Sequence, residues 1–259
     1  MKLIKSELRK FFSTKTWIWL LIGCVLLALI QVVLTLSFAG SGGAEGGPPA
    51  FPPIESPEIQ KIVLTGPANA TIFIAILGVI GITAEYRHKT IAPTFLATPK
   101  RWKVVAAKLL TYLMLGVGYA VVAAVFVVLV SMIWINARGG EFSLGGDNWK
   151  ILLGAAIAAA LYGIIGVAVG SLVPNQIAAI SGLLAYMFVI EPILSAIPAT
   201  QGVYRYLPGG AASALYTYAD VGGPTGDLLS PIAGGLLLAG YAALLAGIAY
   251  LVSTRREVS

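Results

Sequence analysis

Six long apolar runs dominate the pattern along the chain, and polar and charged residues collect in the segments between them. A helix that crosses a hydrocarbon core about 30 Å thick needs about 20 apolar residues, since each residue rises about 1.5 Å. All six runs are near that length. The predicted spans cover residues 17–38, 67–84, 109–135, 151–173, 177–197 and 228–252. The pattern therefore predicts an all-α, polytopic membrane protein with one transmembrane domain over residues 1–259.

The composition agrees with this interpretation. Of the 259 residues, 58% are hydrophobic and only 11% are charged, which is too apolar for a domain whose surface faces water. Cys24 is the single cysteine, so no disulfide framework can form within the chain.

The distribution of cations predicts the orientation. Thirteen of the 17 Lys and Arg residues lie in the N-terminal segment, in the connection between the second and third spans, and after the last span. Segments rich in Lys and Arg stay in the cytoplasm, so the chain is predicted to have both termini inside. The net charge of +6 is mainly this topology signal, and no isolated basic domain suggests nucleic-acid binding.

Residues 1–16 are predicted to form an amphipathic helix on the inner leaflet. Ile4, Leu8, Phe11 and Phe12 follow helical spacing, while the cations occupy other faces. The alternative is a basic segment that only sets the topology.

Two outer segments are longer than simple turns, at 39–66 and 198–227. The glycines and prolines of residues 39–61 oppose regular structure and predict a mobile outer loop. The second segment combines four tyrosines with Pro208-Gly209-Gly210, which suits a membrane interface. It would form a re-entrant hairpin only if neighbouring spans cover its backbone.

The fourth span carries small residues at close spacing, namely Ala155, Ala159, Gly163, Gly166 and Gly170. Such a face permits close helix approach, and packing within the chain is favoured over a contact between two copies. The tight inner turn at 174–176 predicts that the fourth and fifth spans are antiparallel neighbours.

Glu191 is the one carboxylate inside an apolar run. A charge within a membrane is costly and often functional. Two other interpretations remain open at this point, because Glu191 would be hydrated if it lies near the outer interface, or it would cap backbone groups freed by Pro192.

Motifs for catalysis are absent from the sequence. It has no Gly-x-x-x-x-Gly-Lys-Ser/Thr phosphate loop, no His-Glu-x-x-His and no cysteine cluster. His88 is the only histidine and stands among cations, which disfavours a metal site. We therefore expect no enzyme activity, no metal and no cofactor in this chain.

The connection 85–108 between the second and third spans carries six cations. They are Arg87, Lys89, Lys100, Arg101, Lys103 and Lys108. Its mixture of apolar and turn residues predicts a folded cytoplasmic element that docks on a partner.

Three features together resemble the permease subunits of the second class of ABC exporters, which include the ABCG-like transporters. One is Glu85-Tyr86-Arg87 with Thr90-Ile91, continuing to Leu96-Ala97-Thr98-Pro99-Lys100-Arg101, with Lys108 at the third span. The others are the start Glu7-Leu8-Arg9-Lys10 and six spans with a long last outer segment. The resemblance implies a cytoplasmic coupling helix between spans 2 and 3, and short helices that dip back into the membrane after span 5.

The resemblance assigns ATPase docking to Glu85, Tyr86, Arg87, Thr90, Ile91, Phe95, Leu96, Thr98 and Arg101. The apolar members would enter a groove on the ATPase, and the charged members would orient the connection. Pro93 fits only the first turn of such a helix, so the position of the helix start stays open.

The resemblance also implies an assembly of two ATPases with two permeases, identical or homologous, in a bacterial plasma membrane. ATP and Mg²⁺ would bind the partner ATPase, and the lipid bilayer would be the other partner. The cargo would be an amphipathic drug-, peptide- or lipid-like molecule. The alternatives are a proton-coupled secondary transporter that uses Glu191, and a non-transporting immunity or sequestering subunit.

Overall fold

The structure, a computed structural model, describes residues 2–42, 51–88, 101–217 and 228–256. Helices make up 84% of it, and the described residues contain no strand. The predicted all-α class is confirmed.

Eleven α-helices, here numbered in chain order, cover the described residues. They are α1 (Lys2–Ser13), α2 (Thr16–Ser37), α3 (Pro57–Leu64), α4 (Ala70–Arg87), α5 (Arg101–Ala137), α6 (Asn148–Leu172), α7 (Gln176–Ala185), α8 (Glu191–Ala196), α9 (Pro198–Tyr204), α10 (Pro208–Tyr216) and α11 (Pro231–Arg256). A 3₁₀ turn (Gly66–Asn69) joins α3 to α4, and a π turn (Tyr186–Ile190) joins α7 to α8.

Six helical segments are long and apolar enough to cross a membrane. They are Thr16–Ser37, Pro57–Arg87, Trp102–Ala137, Asn148–Leu172, Gln176–Ala196 and Pro231–Val252. Large apolar side chains on them point away from the protein, as Trp19, Ile133 and Leu236 do with about 70% of their surface exposed. Such a surface suits lipid, so the chain is a multi-pass membrane protein. Its orientation remains a prediction.

The core lies where α4 and α6 pack against each other. Two thirds of the apolar stretch of each is buried, against 28% or less in the other four segments. The helices touch through glycines: a Cβ added at Gly166 would lie 2.7 Å from the Ala75 Cα, and one at Gly78 would lie 2.7 Å from the Val167 nitrogen. The predicted packing of the small face of the fourth span within the chain is therefore confirmed.

The prediction of an irregular loop over residues 39–61 was wrong at the C-terminal end of this segment. The expected irregular loop gives way at Pro57 to α3, in which Ile59, Val63 and Leu64 are fully buried. Proline suits the first turn of a helix, and the Ser56 hydroxyl accepts a hydrogen bond from the Ile59 N–H at 3.4 Å. An apolar helical pattern follows directly, so the prolines start the helix and do not prevent it.

Gln60 of α3 fixes the loop between α5 and α6. Its side-chain amide donates to the Glu141 carbonyl at 2.7 Å, and its side-chain oxygen accepts from the Ser143 N–H at 3.1 Å. The second span therefore begins with a short helix that is tied to a neighbouring loop.

The turn at residues 173–175 connects α6 to α7 as predicted, and the Asn175 side chain caps α7 by accepting from the Ala178 N–H at 3.1 Å. After the fifth span, α9 and α10 are two short helices, and α10 packs on α6 and α11 with Ala211 fully buried. Whether this pair dips into the membrane stays a prediction, and residues 218–227 lie outside the described part of the chain.

Candidate functional site

Three helices meet in a buried cluster of four charged side chains, here called the ion-pair quartet: Glu7 and Lys10 of α1, Glu85 of α4 and Lys108 of α5. The Lys108 ammonium donates to Glu7 Oε2 at 2.6 Å and to Glu85 Oε1 at 3.0 Å. The Lys10 ammonium donates to Glu7 Oε1 and Glu85 Oε1, each at 2.8 Å. Each lysine thus bridges both carboxylates, and the quartet carries no net charge.

Burial makes this pairing obligatory. Glu7, Glu85 and Lys108 are each exposed by 7% or less, whereas the Lys10 side chain is about half exposed. A buried charge without a partner costs several kcal/mol, so none of the three buried groups can lose its partners cheaply. Burial alone would raise the pKa of Glu7, but the ammonium groups of Lys108 and Lys10 outweigh it and hold that pKa below its ordinary value.

The pKa of Lys10 shifts in the opposite direction. Partial burial would lower it, but hydrogen bonds to Glu7 and Glu85 and their negative charges raise it above the ordinary value for lysine. Both shifts favour the charged forms, so the α1 contribution to the quartet consists of an ammonium and a carboxylate over a wide pH range.

The quartet brackets the connection between the second and third spans. Glu85 lies two residues before the end of α4, and Lys108 lies in the second turn of α5. The segment 89–100 between them lies outside the described residues. Because α1 binds both Glu85 and Lys108, one helix is tied to both ends of the connection.

Aromatic contacts hold α1 in the same place. The rings of Phe11 and Trp17 lie 5.8 Å apart, and those of Phe12 and Trp17 lie 5.1 Å apart. The Tyr119 hydroxyl of α5 donates to the Trp17 carbonyl at 2.6 Å, which anchors the corner between α1 and α2.

The predicted N-terminal helix is present as α1, but the residues of its apolar stripe are buried to different extents. Phe11 is buried, Ile4 and Leu8 are half-buried, and Phe12 is 55% exposed. The side that meets the bundle carries Glu7 beside Phe11. Sequence reasoning missed Glu7 as a site residue, although it is the only carboxylate among the first 44 residues and stands four positions before Phe11.

The predicted docking residues fall into three groups. Glu85 is buried in the quartet, Tyr86 is half-buried and Arg87 is exposed. Thr90, Ile91, Phe95, Leu96 and Thr98 lie outside the described residues. Arg101 is the first residue of α5, and its side chain is not described. Their docking role stays a prediction.

The structure places Lys108 inside a helix and not in the connection that precedes it. The connection was predicted to run to residue 108, but the Lys108 side chain is only 5% exposed and lies at the centre of the quartet. Helix α5 begins at Arg101, so Lys108 stands two turns inside a helix, where it faces α1 and α4.

A second polar site lies at the opposite end of α4, about 20 Å along the helix from Glu85. It is a partly open cavity of about 260 Å³, here called the polar cavity, between α2, the 3₁₀ turn, the π turn and α8 to α10. On one wall the Gln31 amide donates to Thr65 Oγ1 at 2.9 Å, and the Asn69 amide donates to Gln31 Oε1 at 2.8 Å. The side chains of Gln31, Thr65 and Asn69 are therefore joined by hydrogen bonds on this wall.

Glu191 lies on the other wall of the polar cavity and is only 5% exposed. Its Oε1 accepts a hydrogen bond from the Gly209 N–H at 2.7 Å, in the first turn of α10. Glu191 thus caps α10 and not the backbone near Pro192, and its hydration near the outer interface stays a prediction. A carboxylate is favourable there because the helix N-terminus is partly positive.

The π turn directly before Glu191 coincides with Pro192. Proline removes one backbone donor and clashes with the carbonyl four residues earlier, and a π turn is a common way to absorb such a defect. Residues 186–190 accordingly form the π turn. Glu191 follows this interruption of the fifth span directly, and its side chain lines the polar cavity.

The remaining side chains that titrate around the polar cavity are tyrosines. Burial raises the pKa of Tyr204, and it raises that of Tyr216 to about 12, so both hydroxyls are neutral near pH 7. Among the described residues, Glu191 is the only one with a carboxyl side chain that lines the cavity. Within the described residues no three His, Cys, Asp or Glu side chains are placed to hold a metal ion.

The sequence matches no protein-family model, and no curated protein is similar enough to it to count as a relative.

Proposed function

We propose that this chain is the transmembrane subunit of an ATP-driven exporter of the second ABC class, coupled to a separate ATPase through the connection 85–108. Both termini would face the cytoplasm, and the assembly would hold two such permeases and two ATPases. The cargo would be amphipathic. ATP binding and hydrolysis would belong to the partner, because the chain has no phosphate-binding motif.

The observation that carries the proposal is the ion-pair quartet. Any partner that binds the connection pushes on the ends of α4 and α5 together, and Lys108 with Lys10 links both ends to α1. Separating these groups would leave a buried charge without a partner, which costs about 3–5 kcal/mol. The three helices therefore move as one unit.

The packing of α4 gives that movement a route into the membrane. Helix α4 touches α6 backbone to backbone at Gly78 and Gly166, so a shift of α4 displaces the centre of the bundle. Close-packed interfaces of this kind move between discrete arrangements and do not deform gradually. The quartet is thus suited to pass a push at the connection to the α4 and α6 core.

The surface around the quartet suits an acidic partner. Exposed cations at this end include Lys5, Arg9, Lys15, Arg87 and Lys103. A surface groove of about 470 Å³ runs beside Arg87, between the end of α4 and the turn from α6 to α7, and Ile177 on its edge is 78% exposed. An ATPase that presents acidic groups around an apolar contact would complement this surface.

Affinity purification in mild detergent from the native cell tests the proposal. The wild-type chain is compared with a Phe95→Asp, Leu96→Asp variant, which alters the connection. A Phe51→Asp, Leu144→Asp variant is the matched control, since both residues are exposed and lie in loops away from the quartet. We expect an ATPase to co-purify with the wild-type chain and the control, and to be lost from the first variant.

An ATPase that is retained equally by all three forms would count against the connection as its docking site. Absence of any ATPase from the wild-type preparation would contradict the exporter proposal and favour a sequestering subunit or a secondary transporter.

A proton-coupled secondary transporter is the second candidate, and the burial of Glu191 without an ion pair among the described residues favours it. Proteoliposomes that contain only this chain should then accumulate cargo under a pH gradient, and Glu191→Gln should abolish the accumulation. Accumulation that needs ATP and the partner would exclude this mechanism.

A further inference from the structure

Glu191 is a buried carboxyl group with no cationic partner among the described residues. It is 95% buried, lines the polar cavity, and accepts hydrogen bonds from the Gly209 N–H and from the Tyr186 side chain. No Lys, Arg or His pairs with it within the described ranges. Buried carboxylates are normally matched by a cation, and the cavity of about 260 Å³ leaves space beside Glu191 for one from outside the chain.

The walls of the polar cavity suit an organic cation. Tyr162, Phe188, Tyr204 and Tyr216 place aromatic rings around the space that Glu191 faces. Ammonium groups are attracted to the faces of aromatic rings, and this cation–π attraction is stronger when water is excluded from between the ammonium group and the ring. Inorganic Ca²⁺ or Mg²⁺ would need several oxygen ligands, whereas among the described residues Glu191 is the single carboxylate that lines this cavity, and the Gln31 oxygen already accepts from Asn69.

A second cavity adds an apolar compartment. It measures about 360 Å³ and lies between α6, α7 and α11, lined by Ile165, Val169, Leu183 and Leu245. Tyr162 belongs to both cavities, and Pro208 of the apolar cavity adjoins Gly209 of the polar one. A molecule with a charged head and an apolar tail would therefore find a matching compartment for each part.

We propose that the polar cavity binds the ammonium head of an amphipathic cation against Glu191 and its aromatic walls, with the tail in the apolar cavity beyond Tyr162. As an assignment of the transported cargo this rests on the proposed function. As a binding site it stands on the cavities and on Glu191 alone.

The test uses the purified full-length chain in lipid nanodiscs, without any ATPase. The probe is a fluorescent alkyl-trimethylammonium, and its comparison compound has the same tail with a neutral tert-butyl head. Empty nanodiscs give the background from lipid partitioning. We expect saturable binding of the cation, with a preference of about tenfold over the neutral compound.

Two substitutions locate the binding. Glu191→Gln keeps an acceptor for the Gly209 N–H and removes the charge, so the preference for the cation should fall close to one. Glu141→Gln makes the same chemical change on an exposed loop and should leave the preference intact. Tyr204→Leu keeps the carboxylate and removes one aromatic wall, so it should weaken cation binding several-fold with little effect on the neutral compound.

Equal binding of the two compounds by the wild-type chain would overturn the proposal, and this result does not depend on how any variant folds. A preference that survives both Glu191→Gln and Tyr204→Leu would overturn it as well. Displacement of the probe by sodium or potassium chloride, but not by N-methylglucamine chloride, would assign the cavity to an inorganic ion. Because no ATPase is present, these outcomes are independent of the co-purification result.

Discussion

Lys108 and Lys150 both form ion pairs, but Lys108 is buried and Lys150 is about half exposed. Lys108 is buried and holds Glu7 and Glu85 on either side. Lys150 is about half exposed and pairs with the exposed Asp147 at 2.7 Å. Exposed pairs contribute little because water screens them, whereas a buried charge depends wholly on its partners.

Lys108→Met should therefore destabilise the chain strongly. The change removes the buried ammonium that both Glu7 and Glu85 contact, and we expect a loss of about 3–5 kcal/mol of stability. Thermal denaturation followed by size-exclusion chromatography in detergent measures it. Lys150→Met is the control and should shift the midpoint very little. Equal shifts for the two variants would show that the quartet does not stabilise the fold.

The long-range partners of single residues could not be predicted from the sequence. Glu191 was found because a carboxylate in an apolar run is visible in the sequence, but its partner Gly209 was not, since the two meet only through the arrangement of α8 and α10. Lys108 was counted among the cations of the connection, and its pairing with Glu7, 101 positions away, was not predicted. Pairings at such distances follow from packing and leave no local pattern.

The contact between α4 and α6 depends on the absence of side chains. A Cβ at Gly166 would lie 2.7 Å from the Ala75 Cα, which is part of the backbone and cannot rotate away. Gly118 on α5 provides the comparison, because nothing lies within 4 Å of a Cβ added there.

Gly166→Ala should force α4 and α6 apart and cost about 1–3 kcal/mol through overpacking. Gly118→Ala should be neutral or stabilising by up to about 1 kcal/mol, because alanine favours a helix more than glycine does. Thermal midpoints of the two variants in the same detergent provide the measurement. A Gly166→Ala protein as stable as the wild type would mean that the two helices are not in close contact.

The docking of α1 should depend on pH at both extremes. The pKa of Glu7 is lower in the docked helix than its ordinary 4.5, so its contribution is complete above 4.5 and is lost as the pH falls through the docked value. The pKa of Lys10 is higher in the docked helix than its ordinary 10.5, so its contribution is complete below 10.5 and is lost as the pH rises through the docked value.

A spin label on a cysteine at the exposed Ser6 reports this docking, since the native Cys24 is fully buried and shielded from the label. We expect a constant, restricted spectrum between about pH 5 and pH 10, and greater mobility toward both extremes. Mobility that changes steadily across the neutral range would indicate that Glu7 and Lys10 do not hold α1.

The elements themselves were largely predictable. Hydrophobic runs predicted six spans, and the 3.6-residue pattern predicted α1, because both depend on local sequence. The start of the second span was not predicted, since glycine and proline content hid the eight-residue helix α3. Its burial against the loop after α5 depends on Gln60, and a long-range hydrogen bond of this kind has no sequence signature.

In the part of the chain that the structure describes, the quartet and the polar cavity lie at opposite ends of α4, with an apolar surface between them. The quartet ties α1 to both ends of the connection, and the polar cavity lies next to the start of the same helix. Helix α4 packs on α6 along its length. In the proposed exporter, a push at the quartet would therefore reach the polar cavity through one rigid helix.

The most direct test of this account is the ATPase rate of the co-purified complex in nanodiscs, compared with that of the free ATPase. A Glu7→Gln, Lys10→Met variant releases α1 from the quartet and keeps the Glu85–Lys108 pair, while Asp147→Asn, Lys150→Met is the matched control. We predict that both variants retain the ATPase, but that only the first loses the stimulation given by the wild-type chain. Unchanged stimulation in the first variant would contradict the account.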